Sequence, residues 1–374
     1  MLKVSPKIHA PDYPLIIGFI VLLIFGFLML TSASYLIGCQ KLNNCYFYLK
    51  HQILYGLLPG LIILFFLSRI DYRKLKKIAV PILVGVILLL ILLLLPKFGI
   101  IEGGSQRWLK IGGIIFQPSE AMKLAFLLFL SAWLSKKQTN IKNFCRVFIP
   151  FVFLIGIISA LIIPQKDLST LIIIILSALV VYFIAGAPIL HFGYLFVGLV
   201  LAVAMAIKYE PYRWQRLLVF FRPSDIKVDE TGYHITQALS AISSGGFWGK
   251  GLGLSAQKIY SLPEVISDSI FAVTAEELGF IITTFLVIVY FFVAYRIFKI
   301  ALLSKDKFGR LLAGGIGFWF ILQASVNMGG MLGLLPMTGI PLPFMSYGSS
   351  NLIVFLCAFG ILINISKQTK ICLN

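Results

Sequence analysis

The sequence has 374 residues, 59% of them hydrophobic and only 12% charged, with 32 Lys+Arg against 14 Asp+Glu and a formal net charge of +18. A soluble domain carries roughly twice that charged fraction, which excludes a soluble globular enzyme and a disordered tail protein. A basic balance of this size suits nucleic acid when the bases line a polar face; here they interrupt apolar runs, which points to a multi-span membrane protein with no nucleic-acid partner.

A bilayer-crossing helix needs about 20 mostly apolar residues. In chain order such runs fall near 13–36, 52–68, 79–96, 119–134, 147–163, 168–186, 190–207, 269–295, 311–332 and 350–366, the second and fourth being short. The expected fold is therefore an all-α polytopic membrane protein of about ten transmembrane helices. It forms a single integral membrane domain over residues 1–374, with one long outer loop, about 208–268, between spans 7 and 8. The N-terminal stretch has no small-residue cleavage site beside its apolar run, so the first span is expected to be uncleaved.

Basic residues gather on alternate loops: Lys3 and Lys7; Arg69, Arg73, Lys74, Lys76 and Lys77; Lys136, Lys137, Lys142 and Arg146; Arg296, Lys299, Lys305, Lys307 and Arg310; Lys367 and Lys370. That set holds 18 of the 32, and seven of the others lie in the long loop, which carries little weight in the positive-inside rule. Both termini are thus predicted on the cytoplasmic side of a bacterial inner membrane. Of the acids only Asp12, Asp71 and Asp306 fall inside, and the other eleven lie on or near the outer side. Chemistry that needs carboxylates is expected there.

Five outer segments are richer in Gly, Pro and ionisable residues than spans require, and irregular backbone at membrane depth survives only against protein or a wet cavity. The first runs from Gly103 to Trp108, including Arg107, and on through Gln117–Lys123. In it Ser119 is a candidate N-cap, and Glu120 and Lys123 share a helix face, either as a structural ion pair or as the lining of a polar pathway. In the second, Pro164–Thr170, Asp167 suits a capping role as well as a direct one. The third holds Arg213, Arg216, Gly232-Tyr233-His234 and the glycine-dense stretch from Ser244 to Gly253 with Lys250, suited either to phosphate oxygens or to a tight loop. The fourth, Leu262–Ser269, leads into Glu276 and Glu277. There Asp268 is either a helix cap or a reactive acid, and Lys123 is one candidate partner for the deeper carboxylates. The fifth, Gly333–Ser350, is apolar and rich in Gly and Pro, and is expected to form a re-entrant or surface-lying loop. Cys39 and Cys45 share the first outer loop, where an oxidising compartment permits a local disulfide. No Cys/His pairs stand at ligand spacing, so no metal ligands are assigned.

These features suit either a transporter of an anionic substrate or an enzyme acting on a lipid-linked phosphate. The ordered motifs RWLKIGGIIFQPSEAMK, KDLST, GYHITQALSAISSGG, GKGLG, LPEVISDSIFAVTAEELGF and LLPMTGIPLPFMSYGSS, from about 100 to 350, resemble the SEDS (shape, elongation, division and sporulation) family of FtsW/RodA type. The resemblance implies a peptidoglycan glycosyltransferase that polymerises lipid II at the outer face of the cytoplasmic membrane, with undecaprenyl pyrophosphate leaving. Its partners would be a class B penicillin-binding transpeptidase and other divisome or elongasome membrane proteins. No cofactor is required by the motifs, although a divalent cation (Mg or Mn) is compatible with the chemistry.

The family's essential aspartate falls on Asp268 and its Glu/Lys pair on Glu120 and Lys123. Where the family has Thr-Asp-Phe, Pro-Asp-Leu-Gly-Thr and Tyr-Gly-Gly-Ser, this chain has Ser267-Asp268-Ser269, Lys166-Asp167-Leu168-Ser169-Thr170 and Tyr347-Gly348-Ser349-Ser350. Asp268 is the expected general base. Lys123, Arg107, Arg213, Arg216 and Lys250 are the expected substrate or pyrophosphate cations, and Glu120, Glu276 and Glu277 would hold such cations in place. Ser267–Phe271, Gly251–Ser255 and Ala185–Pro188 lean to the division type, and Gln106–Leu109 to the elongation type. A lipid II flippase is the alternative reading.

Overall fold

The computed structural model describes residues 9–95, 98–102, 105–111, 114–137, 141–198, 230–260 and 262–369. Each of the ten apolar runs meets a helix, although residues 199–207 of the seventh lie outside the described residues. In order these are α1 (Tyr13–Leu42), α2 (Phe47–Arg69), α3 (Tyr72–Leu94), α4 (Pro118–Lys137), α5 (Phe144–Gln165), α6 (Leu168–Ile184), α7 (Ile189–Gly198), α9 (Ile270–Leu303), α10 (Lys307–Met331) and α11 (Ser349–Lys367). Seven of them are long and apolar enough to cross a membrane. The long loop is not structureless, since Glu230–Ser244 forms a further helix, α8, packed on α9 and α10. The chain is thus an all-helical polytopic membrane protein.

Local sequence explains the helix ends. Asp12 accepts from Leu15 N and opens α1, with Pro14 in the first turn; Asp306 does the same for α10 through Gly309 N. α2 carries a π turn at Ile53–Leu57, two residues before Pro59, whose ring cannot sit in a regular ladder. Cys39, near the end of α1, closes a disulfide with Cys45 beyond it.

One part of the first polar segment is not irregular. Residues Gly99–Glu102, Ser105–Ile111 and Ile114–Phe116 form an antiparallel sheet, β1–β3, with Ile100 opposite Trp108 and Lys110 opposite Ile115. It sits at the end of the bundle where α4, α6, α9 and α11 begin and α10 ends. The opposite end carries Arg69, Lys136, Arg296 and Lys367, and there Arg296 pairs through two bonds with Asp12.

The Gly- and Pro-rich fifth segment is re-entrant rather than surface-lying. Ile340, Leu342, Phe344 and Met345 are buried. Its carbonyls, with no helix partner, are met by side chains: Asn327 Nδ2 donates to Ile340 O, Gln323 Nε2 to Pro341 O, and Tyr290 OH to Pro343 O. Backbone polar groups away from water need such partners. α1 approaches so closely that a Cβ on Gly26 would stand 2.1 Å from Phe344 O.

Candidate active site

Asp268 lies two residues before α9. Ser269 occupies the N-cap position but makes no capping bond with its side chain; its Oγ donates to Pro263 O and meets His234 Nε2 of α8 at 2.6 Å. Asp268 therefore caps nothing, and the residue is half-buried beside the re-entrant segment. Three successive carbonyls hold its loop: Ile266 O accepts from Tyr347 N, Ser267 O from Ser346 Oγ, and Asp268 O from Asn327 Nδ2. Opposite the carboxylate is Gly339, at φ +66°, where an added Cβ would lie 3.2 Å from Asp268 Oδ2.

Burial in protein pushes the Asp268 carboxyl up to about 7, the neighbouring charge of Glu264 pushes the same way, and Arg107 pulls it down. Arg107, on β2, is aimed by two carbonyls at the end of α5: its Nε donates to Gln165 O at 3.2 Å and its Nη2 to Lys166 O at 2.6 Å. Glu264 is exposed and accepts from Ser267 Oγ at 2.8 Å. The His234 imidazole sits below its ordinary 6.5 because of desolvation, partly offset by Glu264 and by Pro263 O.

Glu120 and Lys123 form the expected pair at 2.8 Å, fully buried. Lys123 Nζ also donates to Gln323 Oε1 at 2.9 Å and lies 5.5 Å from the Trp319 ring, while Asn351 Nδ2 donates to Glu120 Oε2 at 2.6 Å. Because Gln323 holds Pro341 O, this buried network braces the re-entrant segment from below. Ser119 is not an N-cap, because α4 already begins at Pro118. Its hydroxyl donates instead to Asp167 Oδ2 at 2.9 Å, and Asp167 caps α6 by accepting from Thr170 N.

Lys123 does not meet the deeper carboxylates of α9, contrary to the sequence expectation. Lys250 pairs with Glu276 at 2.7 Å, and Lys258, with Ser32 beside it, pairs with Glu277 at 2.6 Å. Both lysines come from the loop after α8. At Gly279, φ 76° and ψ 179°, α9 breaks, and the glycine-dense loop completes the broken ladder. Lys250 N and Gly251 N donate to Glu276 O and Glu277 O, while Phe280 N donates to Gly246 O. A Cβ on Gly249 would stand 2.3 Å from Glu277 O, so these glycines serve close backbone approach and not a phosphate cradle. Glu276 lies eight residues beyond Asp268, about 12 Å along the helix, so Lys250 is not gathered with the acid. Arg213 and Arg216 lie outside the described residues. Among the described residues no three His, Cys, Asp or Glu side chains gather into a metal-binding group.

The chain matches the profile of the FtsW/RodA/SpoVE cell cycle protein family over residues 13–371. It belongs to this family, the SEDS proteins. Stage V sporulation protein E of Bacillus subtilis is 37% identical over 373 residues, covering 98% of this chain and all of that one. A probable peptidoglycan glycosyltransferase FtsW of Geobacter sp. is 35% identical, with 97% of this chain and 99% of the relative covered. Among solved structures, the rod shape determining protein RodA of Thermus thermophilus matches with a TM-score of 0.70 at 27% identity, covering 97% of this chain and 98% of that one. A chain of a peptidoglycan synthase complex, described as coordinating polymerization and crosslinking, matches at 0.77 and 26% identity, covering 96% and 98%.

In this SEDS chain the sequence reading singled out Asp268, Arg107, Glu120 and Lys123 but missed the amides Gln323, Asn327 and Asn351. Their signal was available: polar side chains inside apolar spans, two of them four residues apart on one face of α10. His234 and Lys258 carried no such mark, because their partners lie 35 and 19 residues away in sequence. The departure at Ser269, where the SEDS motif has Phe, gives His234 the hydroxyl to which it bonds.

Proposed function

We propose that this chain is a peptidoglycan glycosyltransferase, polymerising lipid II at the outer face of the cytoplasmic membrane with Asp268 as general base. The observation that carries this reading is a carboxyl on a half-buried residue against Gly339, raised to about 7 by burial, with Arg107 close enough to act on its charge. A base titrating near the working pH is both substantially ionised and able to accept a proton. The acceptor's 4-hydroxyl oxygen bonds to the donor's anomeric carbon and passes its proton to Asp268. The bond from that carbon to the pyrophosphate oxygen breaks, and its electron pair leaves with undecaprenyl pyrophosphate. Arg107, oriented by two carbonyls, offsets the negative charge of the leaving group. Arg213 and Arg216 are further candidates for that task, whereas Lys123 is buried and already committed to Glu120 and Gln323. The prenyl chain stays in the lipid.

The charge bias supports a topology with both termini cytoplasmic and the Asp268 end outside. The relatives named FtsW support a septal role, and the likeness to a synthase complex supports a class B penicillin-binding transpeptidase as partner. The test supplies labelled lipid II to the purified protein with its transpeptidase. Glycan strands that vanish with Asp268→Ala are expected. Scrambling of lipid II in liposomes with no strand made under permissive conditions overturns the reading in favour of a flippase.

A further inference from the structure

The loop that carries Asp268 is positioned through its backbone, and one side chain has a special place in that arrangement. Tyr347 N and Ser346 Oγ, which hold Ile266 O and Ser267 O, both belong to the re-entrant segment. The third donor, Asn327, comes from α10 and divides its amide between two loops, giving one N–H to Asp268 O at 2.9 Å and the other to Ile340 O at 2.8 Å. A primary amide has two N–H groups and no more, so both are spent on this bridge. Ile340 directly follows Gly339, the residue against which the carboxylate leans. Asn327 thus fixes the base and the surface behind it with one rigid planar group. It is 3% exposed, and its own Oδ1 has no partner among the described residues. An unpaired buried acceptor opposes folding, so what the amide contributes is its pair of donors.

We propose that Asn327 is a positioning residue for the transfer reaction: it sets the separation between the Asp268 carboxylate and Gly339, and so the aim of the base at the acceptor hydroxyl. This rests on the reading of Asp268 as the base. A neighbouring amide, Gln323, tests the distinction between positioning and bracing. It ties the same segment at Pro341 O but does not bond the loop of Asp268. The groups that set the proton equilibrium of Asp268 are Glu264 from its own loop and Arg107 from β2, with His234 of α8 nearby through Ser269.

Polymerisation of lipid II by the full-length protein with its transpeptidase is measured against pH and substrate concentration for wild type, Asn327→Leu, Asn327→Ser, Gln323→Leu and Asp268→Asn. Loss of aim costs rate steeply, so Asn327→Leu and Asn327→Ser are expected to lower kcat about ten-fold or more with KM changed less than about two-fold. Their pH midpoint is expected to move by about half a unit or more, since the surroundings of the carboxylate change. Gln323→Leu is expected to lower thermal stability and leave the midpoint in place. Asn327→Ser provides the measurement if the leucine variant does not fold. An inactive Asp268→Asn together with Asn327 variants that keep the wild-type kcat and midpoint overturns the positioning role and leaves the base intact. An active Asp268→Asn overturns the base reading itself, and the positioning role with it.

Discussion

A carboxyl acts as a base only after it has lost its proton, so a group at about 7 gives a rate that rises with pH through neutrality. Asp268→Asn is expected to lower turnover by roughly 10²-fold or more across the whole range. The two charges that act on Asp268 predict opposite displacements. Removing the positive charge in Arg107→Gln moves the midpoint of the pH–rate curve upward, and removing the negative charge in Glu264→Gln moves it downward; a shift in the same direction for both contradicts the assignment. Stability has its own sign. The folded carboxyl holds its proton to about 7 against an ordinary value of 3.8, so ionisation favours the unfolded chain. Stability is expected to fall between about pH 4 and pH 7, by at most about 4 kcal/mol before solvent screening. Asp268→Asn removes that cost, so in detergent it should melt above the wild type at pH 8 and alongside it at pH 4.

At the scale of elements, α9 is two helices joined at Gly279, with the loop after α8 filling the break. A side chain at Gly279 would need a backbone conformation open mainly to glycine and would meet Gly249 N at 2.3 Å. Gly279→Ala should therefore cost at least about 1–3 kcal/mol, read as a lower melting temperature. The two lysines of the same loop differ in burial: Lys250 is 35% exposed and Lys258 only 3%. Removing a partner from a buried carboxylate is costlier than removing one that water can replace. Lys258→Met should accordingly destabilise more than Lys250→Met, and the reverse order would contradict the ion-pair assignment. The limits of sequence reading are visible in these same elements. Apolar length revealed the spans, and the three-residue spacing of Glu120 and Lys123 revealed their pair. The break at Gly279 was hidden, because a glycine in an apolar run also fits plain packing. The partners of Glu276 and Glu277 were hidden because both sit about one loop away, a distance that only folding closes. The strands at 99–116 were missed because they are short and broken by glycines that read equally well as coil. Asp268 was legible through its motif, but its surroundings were not, since β2, α8, α10 and the re-entrant segment all contribute to them.

For the whole molecule, the gathering of bases at one end of the bundle makes sidedness testable with the chain's own cysteines. Cys145 is exposed near that end, and Cys39 and Cys45 are joined at the other. In cells, a membrane-impermeant thiol reagent should leave Cys145 unlabelled until the cytoplasmic side is opened, and should reach Cys39 and Cys45 from outside only after reduction. The reverse pattern would invert the proposed topology. The dispersal of the site along the chain also has a consequence for biogenesis. The loop of Asp268 is held by Asn327, Ser346 and Tyr347, and the network beneath it is closed by Asn351 at the start of the last helix. During synthesis the residues around Asp268 enter the membrane long before their braces do. A chain that stops before α11 would contain every residue assigned to the chemistry and the three donors that hold the Asp268 loop, yet lack Asn351, whose amide closes the Glu120 end of the network beneath it.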